Sequence, residues 1–227
     1  MSEQKEKKCK GDFKERDDFA AVKKRLKEGN KKFMDDHLAH PNEDKKRRAC
    51  TKKNGQKPFA IVLSCADSRV VPELIFDTGL GDLFVIRVAG NIANISSIAS
   101  IEYGLAVLGC KYILVLGHES CGAVKEAMSD KPAPSDNLSH LLGHILPAVN
   151  ACDCKGSISN TDYETVFNDE VDKVKSVTIA NIRHSMSELT RCSKIIRKVA
   201  SPTLSNPSVI IKGAYYHLKT GKVKFLK

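Results

Sequence analysis

The sequence contains no tryptophan, few aromatic residues and no long apolar run. Of its 227 residues, 6% are aromatic and 41% are hydrophobic. No run of about 18 apolar residues is present, so we expect no membrane-spanning helix and no membrane partner. Residues 1–18 also lack the apolar core of a secretory signal peptide. We therefore expect a cytoplasmic protein, and a periplasmic location stays open if a signal peptide has been removed.

The formal net charge is +10, and much of the excess lies in three basic runs, at residues 5–10, 23–32 and 45–53. A basic surface is one feature of proteins that bind nucleic acids. These lysines are not accompanied by a helix-turn-helix, zinc-finger or aromatic RNA-binding pattern. We therefore expect a solvated basic N-terminal region that attracts small anions or acidic surfaces, and no nucleic-acid partner.

Eight cysteines are many for a chain of this length, but their scattered spacing does not resemble a disulfide framework. We expect reduced cysteines, some of them bound to a metal. Cys152 and Cys154 form an isolated C-x-C pair. This pair fits a metal site, a strained disulfide or no function, and the sequence does not distinguish these.

Apolar residues at helical spacing, alternating with short apolar runs, predict both helices and strands. Helices are predicted over 12–36, 72–76, 95–108, 123–128, 137–149 and most of 163–200. Strands are predicted over 59–64, 83–88, 112–116, 209–217 and 222–226, and loops over 39–58 and 150–162. Strands separated by helices pair in parallel, and continuous apolar strands suit a sheet that is covered on both faces. We therefore predict an α/β fold with a mainly parallel central sheet flanked by helices, comprising a basic helical arm (1–38) and a single domain (39–227).

Three side chains that bind metals follow two of the predicted strands. Cys65 follows the strand at 59–64, and His118 and Cys121 follow the strand at 112–116. The carboxyl ends of parallel strands meet at one edge of a sheet, so we expect these side chains to converge. Two thiolates and one imidazole favour zinc, and three protein ligands leave a fourth position open, as in catalytic zinc sites. Buried cysteines without a metal are the alternative.

His140 and His144 lie four residues apart on a predicted helix and form a second possible metal pair. They have no third ligand nearby, so we interpret them as surface or core residues. The prediction of one zinc ion per chain therefore rests on Cys65, His118 and Cys121.

Asp67 and Arg69 follow Cys65 closely enough to act at the same site. The carboxylate could coordinate the metal, or it could accept a hydrogen bond from water at the open position. A guanidinium that grips the carboxylate in a fork would keep it ionised and directed. The alternative is a loop salt bridge, which usually contributes little stability.

The motif "CADSR" at residues 65–69, followed about fifty residues later by "HESCG" at 118–122, resembles the β-class carbonic anhydrases. The pattern of that family is C-x-D-x-R and H-x-x-C. The segment "FVIRVAGN" at 84–91 lies between the two motifs and adds to the likeness. The resemblance extends from about residue 29 to residue 223 and so covers most of the chain.

This resemblance implies a zinc enzyme that catalyses the reversible hydration of carbon dioxide to bicarbonate and a proton. Zinc would be held by Cys65, His118 and Cys121, and it would activate a water molecule as the nucleophile. Asp67, oriented by Arg69, would accept a hydrogen bond from that nucleophile.

The resemblance also implies a substrate pocket and an oligomer. Gln56, Phe84 and Tyr103 match residues that line the pocket in the plant-like branch, and apolar walls suit carbon dioxide. Backbone near Gly122 would steady the developing bicarbonate oxygen. The family forms dimers, or larger oligomers of dimers, with N-terminal helices that embrace the neighbour and a site at the dimer interface.

The sequence differs from bacterial members that have a regulatory bicarbonate pocket built from a tryptophan, an arginine and a tyrosine. Arg87 matches that arginine, and Tyr215 or Tyr216 matches the tyrosine. Val62 stands at the tryptophan position, which argues against this form of regulation. Val88 replaces the usual asparagine, and we have no interpretation of that change.

Three other functions are compatible with parts of the sequence. Hydrolysis of carbon disulfide or carbonyl sulfide uses the same zinc ligands in related enzymes. A non-catalytic zinc-binding protein would have no need of Asp67 and Arg69. Binding of nucleic acid through the basic arm would weaken steeply with salt.

Overall fold

The computed structural model describes residues 9–153, 170–200 and 207–227. A five-stranded sheet with the order β2-β1-β3-β4-β5 forms the centre. Its first four strands are parallel, and the last is antiparallel to its neighbour. The predicted α/β class with a mainly parallel sheet is therefore confirmed. The strands are β1 (Ala60–Ser64), β2 (Leu83–Arg87), β3 (Tyr112–His118), β4 (Ile210–Tyr216) and β5 (Val223–Phe225).

Helices flank this sheet and connect its strands. The described residues include no helix that is both long enough and apolar enough to cross a membrane. A short 3₁₀ turn at Ala89–Asn91 follows β2. The helices are α1 (Phe19–Met34), α2 (Lys45–Asn54), α3 (Pro72–Ile75), α4 (Ile95–Ala106), α5 (Gly122–Ala127), α6 (Asp136–Gly143), α7 (Leu146–Asp153), α8 (Glu170–Cys192) and α9 (Lys194–Ala200).

The prediction of a loop over 39–58 is wrong, because α2 occupies the middle of that segment. Asp44 caps the helix by accepting a hydrogen bond from the backbone N–H of Arg47 at 2.7 Å. Gly55 ends it with a φ of 76°. The lysines and arginines between these ends are good helix formers, but they provide no apolar stripe from which a helix is recognised.

Three other predicted boundaries need correction. The helix predicted over 12–36 begins only at Phe19, because the side chain of Asp18 caps it there. The helix predicted over 137–149 is two helices, α6 and α7. The second extends to Asp153, inside the predicted loop at 150–162, and the rest of that loop, with Cys154, lies outside the described residues.

The expectation that the cysteines are reduced is wrong for one pair. Cys9 and Cys50 form a disulfide with a Cα–Cα distance of 5.9 Å. The sequence separation of 41 hid this pairing, since spacing alone does not identify cysteines that become neighbours only after folding.

The sheet is buried on both faces. On β1, Ile61 and Leu63 pack on one face, while Val62 packs on the other, and all three are fully buried. Val22 and Leu26 of α1 are also fully buried, beside Val62. Helix α1 thus packs on the core of its own chain. The boundary at residue 38 between an N-terminal arm and the main domain stays a prediction. The packing of the N-terminal helices against a neighbouring subunit also stays a prediction.

Candidate metal centre

The three predicted metal ligands lie together at the carboxyl edge of the sheet. In the register, Ser64 pairs with Leu116, so Cys65 and His118 leave adjacent strands at nearly the same level. Cys121 follows one short turn later, at the start of α5. The two sulfur atoms and the imidazole nitrogen lie within 4.8 Å of one another, and all three residues are buried. Among the described residues, this is the only group of three or more potential metal ligands that lie close together.

The imidazole of His118 is oriented for metal binding. Its Nδ1 lies 2.9 Å from the carbonyl oxygen of Glu119, so a proton on Nδ1 is donated to that oxygen. The other nitrogen, Nε2, is then a bare acceptor. It is buried and has no hydrogen-bond partner within the described part of the chain. An orphaned nitrogen beside two sulfur atoms fits zinc, which takes sulfur and nitrogen ligands in tetrahedral geometry.

The two thiols differ in their readiness to ionise. A hydrogen bond from Cys121 is the main reason that the pKa of Cys65 falls to about 4, despite burial. Backbone N–H groups of Asp67 and Gly90 add to this effect, at 3.4 and 3.3 Å from the sulfur. That same bond, together with burial, raises the pKa of Cys121 far above its usual range. The pair therefore retains one proton, which a divalent cation would displace.

Asp67 lies beside these ligands and is held by Arg69. The guanidinium donates Nε–H to one carboxylate oxygen at 2.9 Å and an Nη2–H to the other at 2.7 Å. The backbone N–H of Arg69 adds a third bond at 2.9 Å. Hydrogen bonding from this side chain is the main reason that the pKa of Asp67 lies well below its usual range. The carboxylate is thus ionised, with one oxygen 4.0 Å from Nε2 of His118.

Arg87 supports the loop that carries Asp67, a role that sequence analysis did not assign. Its guanidinium donates to the carbonyl oxygens of Cys65 at 3.3 Å, Ala66 at 3.3 Å and Asp67 at 2.7 Å. Because β2 is the edge strand next to β1, its last residue reaches across to this loop. By its position in the sequence, Arg87 matches the arginine of a regulatory bicarbonate pocket in some bacterial relatives. A regulatory role of Arg87 stays a prediction, whereas its hydrogen bonds to the loop at 65–67 are present in the structure.

The turn at 89–91 is a second element that sequence analysis left without a role. Gly90 has a φ of 70°, and an added Cβ would lie 2.6 Å from Cδ1 of Ile145. Its carbonyl accepts from Nδ2 of Asn181 at 2.8 Å, and the carbonyl of Asn91 accepts from Oγ of Ser185 at 3.1 Å. Helix α8 thereby fixes the turn whose N–H points at the sulfur of Cys65. The glycine and asparagine in "VAGN" are residue types that favour a turn, so the sequence did contain a signal for this turn.

Three of the predicted pocket residues, Gln56, Phe84 and Tyr103, lie in other parts of the fold than the metal ligands. Phe84 pairs with Ile61, four residues before Cys65, which is about 13 Å along a strand. The rings of Phe84 and Tyr103 pack together, with centroids 6.0 Å apart. Gln56 is exposed and lies close to Gly81, before β2 begins. The roles of these three residues stay predictions.

The remaining candidates lie as follows. Gly122 begins α5 directly after Cys121, and an added Cβ there would meet no atom within 4 Å. The rings of His140, on α6, and His144, which directly follows α6, are 5.3 Å apart, and these residues belong to no metal-ligand cluster of three among the described residues. Val62 is fully buried in the core.

Comparison with known proteins agrees with this geometry. Residues 60–223 match the family model described as "Carbonic anhydrase". The chain is 35% identical over 208 residues to the carbonic anhydrase of Mycolicibacterium smegmatis, covering 90% of this chain and 91% of the relative. It is 43% identical over 132 residues to carbonic anhydrase 2 of Mycobacterium tuberculosis. That match spans 57% of this chain and 63% of the relative's length.

Solved structures show the same fold. The β-carbonic anhydrase CcaA is 26% identical, with a TM-score of 0.64, over 91% of this chain and 92% of its own. A tetrameric β-carbonic anhydrase of Sordaria macrospora, 23% identical, has a TM-score of 0.65 over 92% of this chain and 95% of its own. With the Cys-His-Cys cluster at the carboxyl edge of a sheet of this topology, these matches make the chain a member of the β-carbonic anhydrase family.

Proposed function

We propose that this protein catalyses the reversible hydration of carbon dioxide to bicarbonate and a proton. The observation that carries the proposal is the ionised Asp67 carboxylate, clamped by Arg69 beside the buried cluster of Cys65, His118 and Cys121. A structural zinc site would be closed by four protein ligands and would need no such pair.

Zinc, when bound, supplies a Lewis acid that makes water nucleophilic near neutral pH. Cys65, His118 and Cys121 would hold it. The chain then has to orient the nucleophile and exclude other anions. Asp67 stays ionised and can only accept hydrogen bonds. At the fourth zinc position it would therefore favour a ligand that carries a proton, and the hydrogen bond would fix the direction of that ligand's lone pair. Arg69 prevents the carboxylate from turning away, because its two N–H groups occupy both oxygens.

Hydrolysis of carbon disulfide or carbonyl sulfide is less well supported. The two relatives compared above carry the name carbonic anhydrase, and the family model has the same description. A purely structural zinc site is opposed by the Asp67–Arg69 clamp, as argued above.

We further propose that the functional form is a homodimer or an oligomer of dimers. Helix α4 and its end carry an apolar stripe at four-residue spacing, formed by Ile95, Ala99, Tyr103 and Val107. Ile95 is 86% exposed and Val107 is 63% exposed, although large side chains of this kind are usually covered. A second copy seated on this stripe would also bring Phe84 and Tyr103 into an interface. The related Sordaria enzyme is described as tetrameric.

Stopped-flow hydration of carbon dioxide, measured on zinc-loaded protein with zinc counted per chain, tests the proposed activity. We expect turnover in proportion to zinc content. The variant Cys65→Ser should lose most of its zinc, because a hydroxyl is a poor ligand at neutral pH, and should lose hydration with it. Cys192→Ser, at an exposed cysteine on α8, is the matched control and should keep both. Full zinc occupancy without hydration would contradict the proposal.

We also propose a cytoplasmic location, since Cys65 and Cys121 bind metal only when reduced. Stable disulfides are rare in that compartment. The Cys9–Cys50 bond is consistent with this location if it is reversible. Fractionation of the source cells, followed by detection of the protein in each fraction, tests the location.

A further inference from the structure

A short segment at the start of the described chain crosses the amino edge of the sheet, opposite the metal centre. We call residues 9–18 the strap. At one end, Cys9 is bonded to Cys50 of α2. In the middle, the ring of Phe13 packs on Phe59, directly before β1, with centroids 5.2 Å apart. At the other end, Arg16 donates to the carbonyl oxygens before β3. The strap thus connects α2 to the segments that directly precede β1 and β3.

Noncovalent contacts supplement the disulfide. The buried guanidinium of Arg47 donates to Asp12 of the strap at 2.5 Å and to Asp82 at 3.2 Å. A solvent-open pocket of about 330 Å³ lies beside the strap, and its lining includes Gly11, Asp12 and Phe13 of the strap and Asp82. Because much of this lining belongs to the strap, release of the strap would change the shape of this pocket.

The surroundings of Cys50 differ from those of a protected structural disulfide. Cys9 is buried, whereas Cys50 is only half-buried on the surface of α2. Lys46 and Lys53 are exposed and lie one helical turn before and after Cys50, on the same face. Nδ2 of Asn54 lies 3.1 Å from the Cys50 sulfur. Positive charge around a half-buried disulfide attracts thiolates and stabilises developing negative charge on sulfur.

We propose that Cys9–Cys50 is a reversible thiol-exchange site for small anionic thiols, and that its reduction releases the strap. A thiolate attacks the Cys50 sulfur, forming a mixed disulfide, and Cys9 leaves as a thiolate that takes a proton. A second thiol molecule then attacks the mixed disulfide, so that Cys50 is released as a thiol. Overall, one protein disulfide and two thiols give two cysteine thiols and one small disulfide. Oxidation by the same small disulfide reverses the sequence.

The site is separate from Cys65, Cys121 and Cys110. Cys65 and Cys121 lie at the opposite edge of the sheet, where zinc would protect them. Burial raises the pKa of the Cys110 thiol to about 12, so this group does not compete as a nucleophile. Exchange at the strap therefore leaves the metal centre intact.

Rates of disulfide reduction test the proposed charge selectivity. Zinc-loaded full-length protein is treated with 3-mercaptopropionate or 2-mercaptoethanol, and the Cys9–Cys50 bond is followed by peptide mapping. Replacing Lys46 and Lys53 with Gln should lower the rate of disulfide reduction by the doubly charged mercaptopropionate thiolate by about twofold to threefold per lysine. The rate of reduction by mercaptoethanol should fall by less. The matched control Lys45→Gln/Lys52→Gln removes the same charge from the opposite face of α2 and should have a smaller effect. Equal effects of the two double variants would overturn the proposal.

Release of the strap is measured separately. Reduced wild-type protein should be cut by trypsin at Lys14 and Arg16 faster than oxidised protein, and its Tm should fall by about 5–15 °C. Cys9→Ser should behave like reduced wild type in both states, which assigns the change to this bond. Zinc content and hydration of carbon dioxide should stay unchanged on reduction. A reduced protein with the Tm and trypsin resistance of the oxidised one would contradict the proposal, as would a Cys9–Cys50 pair that never forms under a small disulfide.

Discussion

Arg69 is an exposed side chain whose proposed role is to direct the Asp67 carboxylate. Its contribution to stability is that of an exposed ion pair, which is small. Its proposed contribution to function is to fix the orientation of the Asp67 carboxylate. Without it, the Asp67 carboxylate would be free to turn toward the metal cluster, since one oxygen already lies 4.0 Å from Nε2 of His118.

We predict that Arg69→Ala retains zinc and lowers carbon dioxide hydration by about 100-fold, because a misplaced acceptor no longer orients the nucleophile. Zinc content and stopped-flow turnover measure the two effects. Arg191→Ala breaks a comparable exposed pair with Glu188, whose two contacts are both 2.6 Å, on α8. This control should keep full activity. Wild-type turnover in Arg69→Ala would refute the orienting role.

At the scale of elements, one buried amide joins α1 to the sheet. The Nδ2 group of Asn30 donates to the carbonyl oxygens of Ile75 at 3.3 Å and Gly221 at 2.8 Å. Its oxygen accepts from the backbone N–H of Val223 at 2.8 Å. Helix α1, the end of α3 and the turn before β5 are therefore linked by one side chain.

We predict that Asn30→Ala lowers the free energy of unfolding by about 2–4 kcal/mol, because it leaves buried backbone groups without partners. Urea denaturation, with zinc content held constant, measures the loss. Lys27→Ala, at an exposed position of the same helix, should change stability by less than about 0.5 kcal/mol. Equal stability of the two variants would show that α1 is not attached through this amide.

Helix α2 shows why some elements escape prediction from sequence. An amphipathic helix is recognised by its apolar stripe, and α2 has none, because its buried position is the charged Arg47. That arginine is satisfied by Asp12 and Asp82, which are distant in sequence. Helix α4, by contrast, carries apolar residues at helical spacing, so its position could be predicted with small errors at the ends.

At the scale of the whole molecule, the exposed apolar stripe on α4 predicts self-association. The double variant Ile95→Glu/Val107→Glu places two charges on that stripe and should shift the protein toward monomers, because burying them in an interface is costly. Analytical ultracentrifugation measures the change. Ile195→Glu alters a residue that is 46% exposed on α9 and serves as the control, which should keep the oligomer. An unchanged oligomer in the double variant would place the interface elsewhere.

Stability in acid should depend on Asp77. Burial opposes ionisation of this carboxyl, but hydrogen bonds from Lys32 and from the backbone N–H groups of Ala39 and His40 outweigh it and lower its pKa. A lowered folded-state pKa contributes stability above the unfolded pKa of about 4, and this contribution is lost as the pH falls through the folded value.

Asp77→Asn should therefore be less stable than wild type at pH 6, and the difference should narrow as the pH falls below about 4. Asparagine tolerates the φ of 46° at this position, so the variant tests the charge rather than the backbone. Thermal unfolding of both proteins from pH 6 to pH 3 measures the difference. A gap that stays constant over this range would assign the effect to something other than ionisation.

The sequence by itself determined the α/β class and the grouping of three candidate metal ligands, because both follow from local patterns. Apolar strands alternate with helices, and Cys65, His118 and Cys121 lie at or just after the carboxyl ends of strands, where parallel sheets collect their ligands. Only the tertiary structure decided which residues distant in sequence contact one another. The Cys9–Cys50 disulfide, the burial of Arg47 and the hydrogen bonds of Arg87 to the loop at 65–67 join segments that are 20 to 41 residues apart. Their partners become neighbours only when the sheet assembles, and no local periodicity records such a pairing.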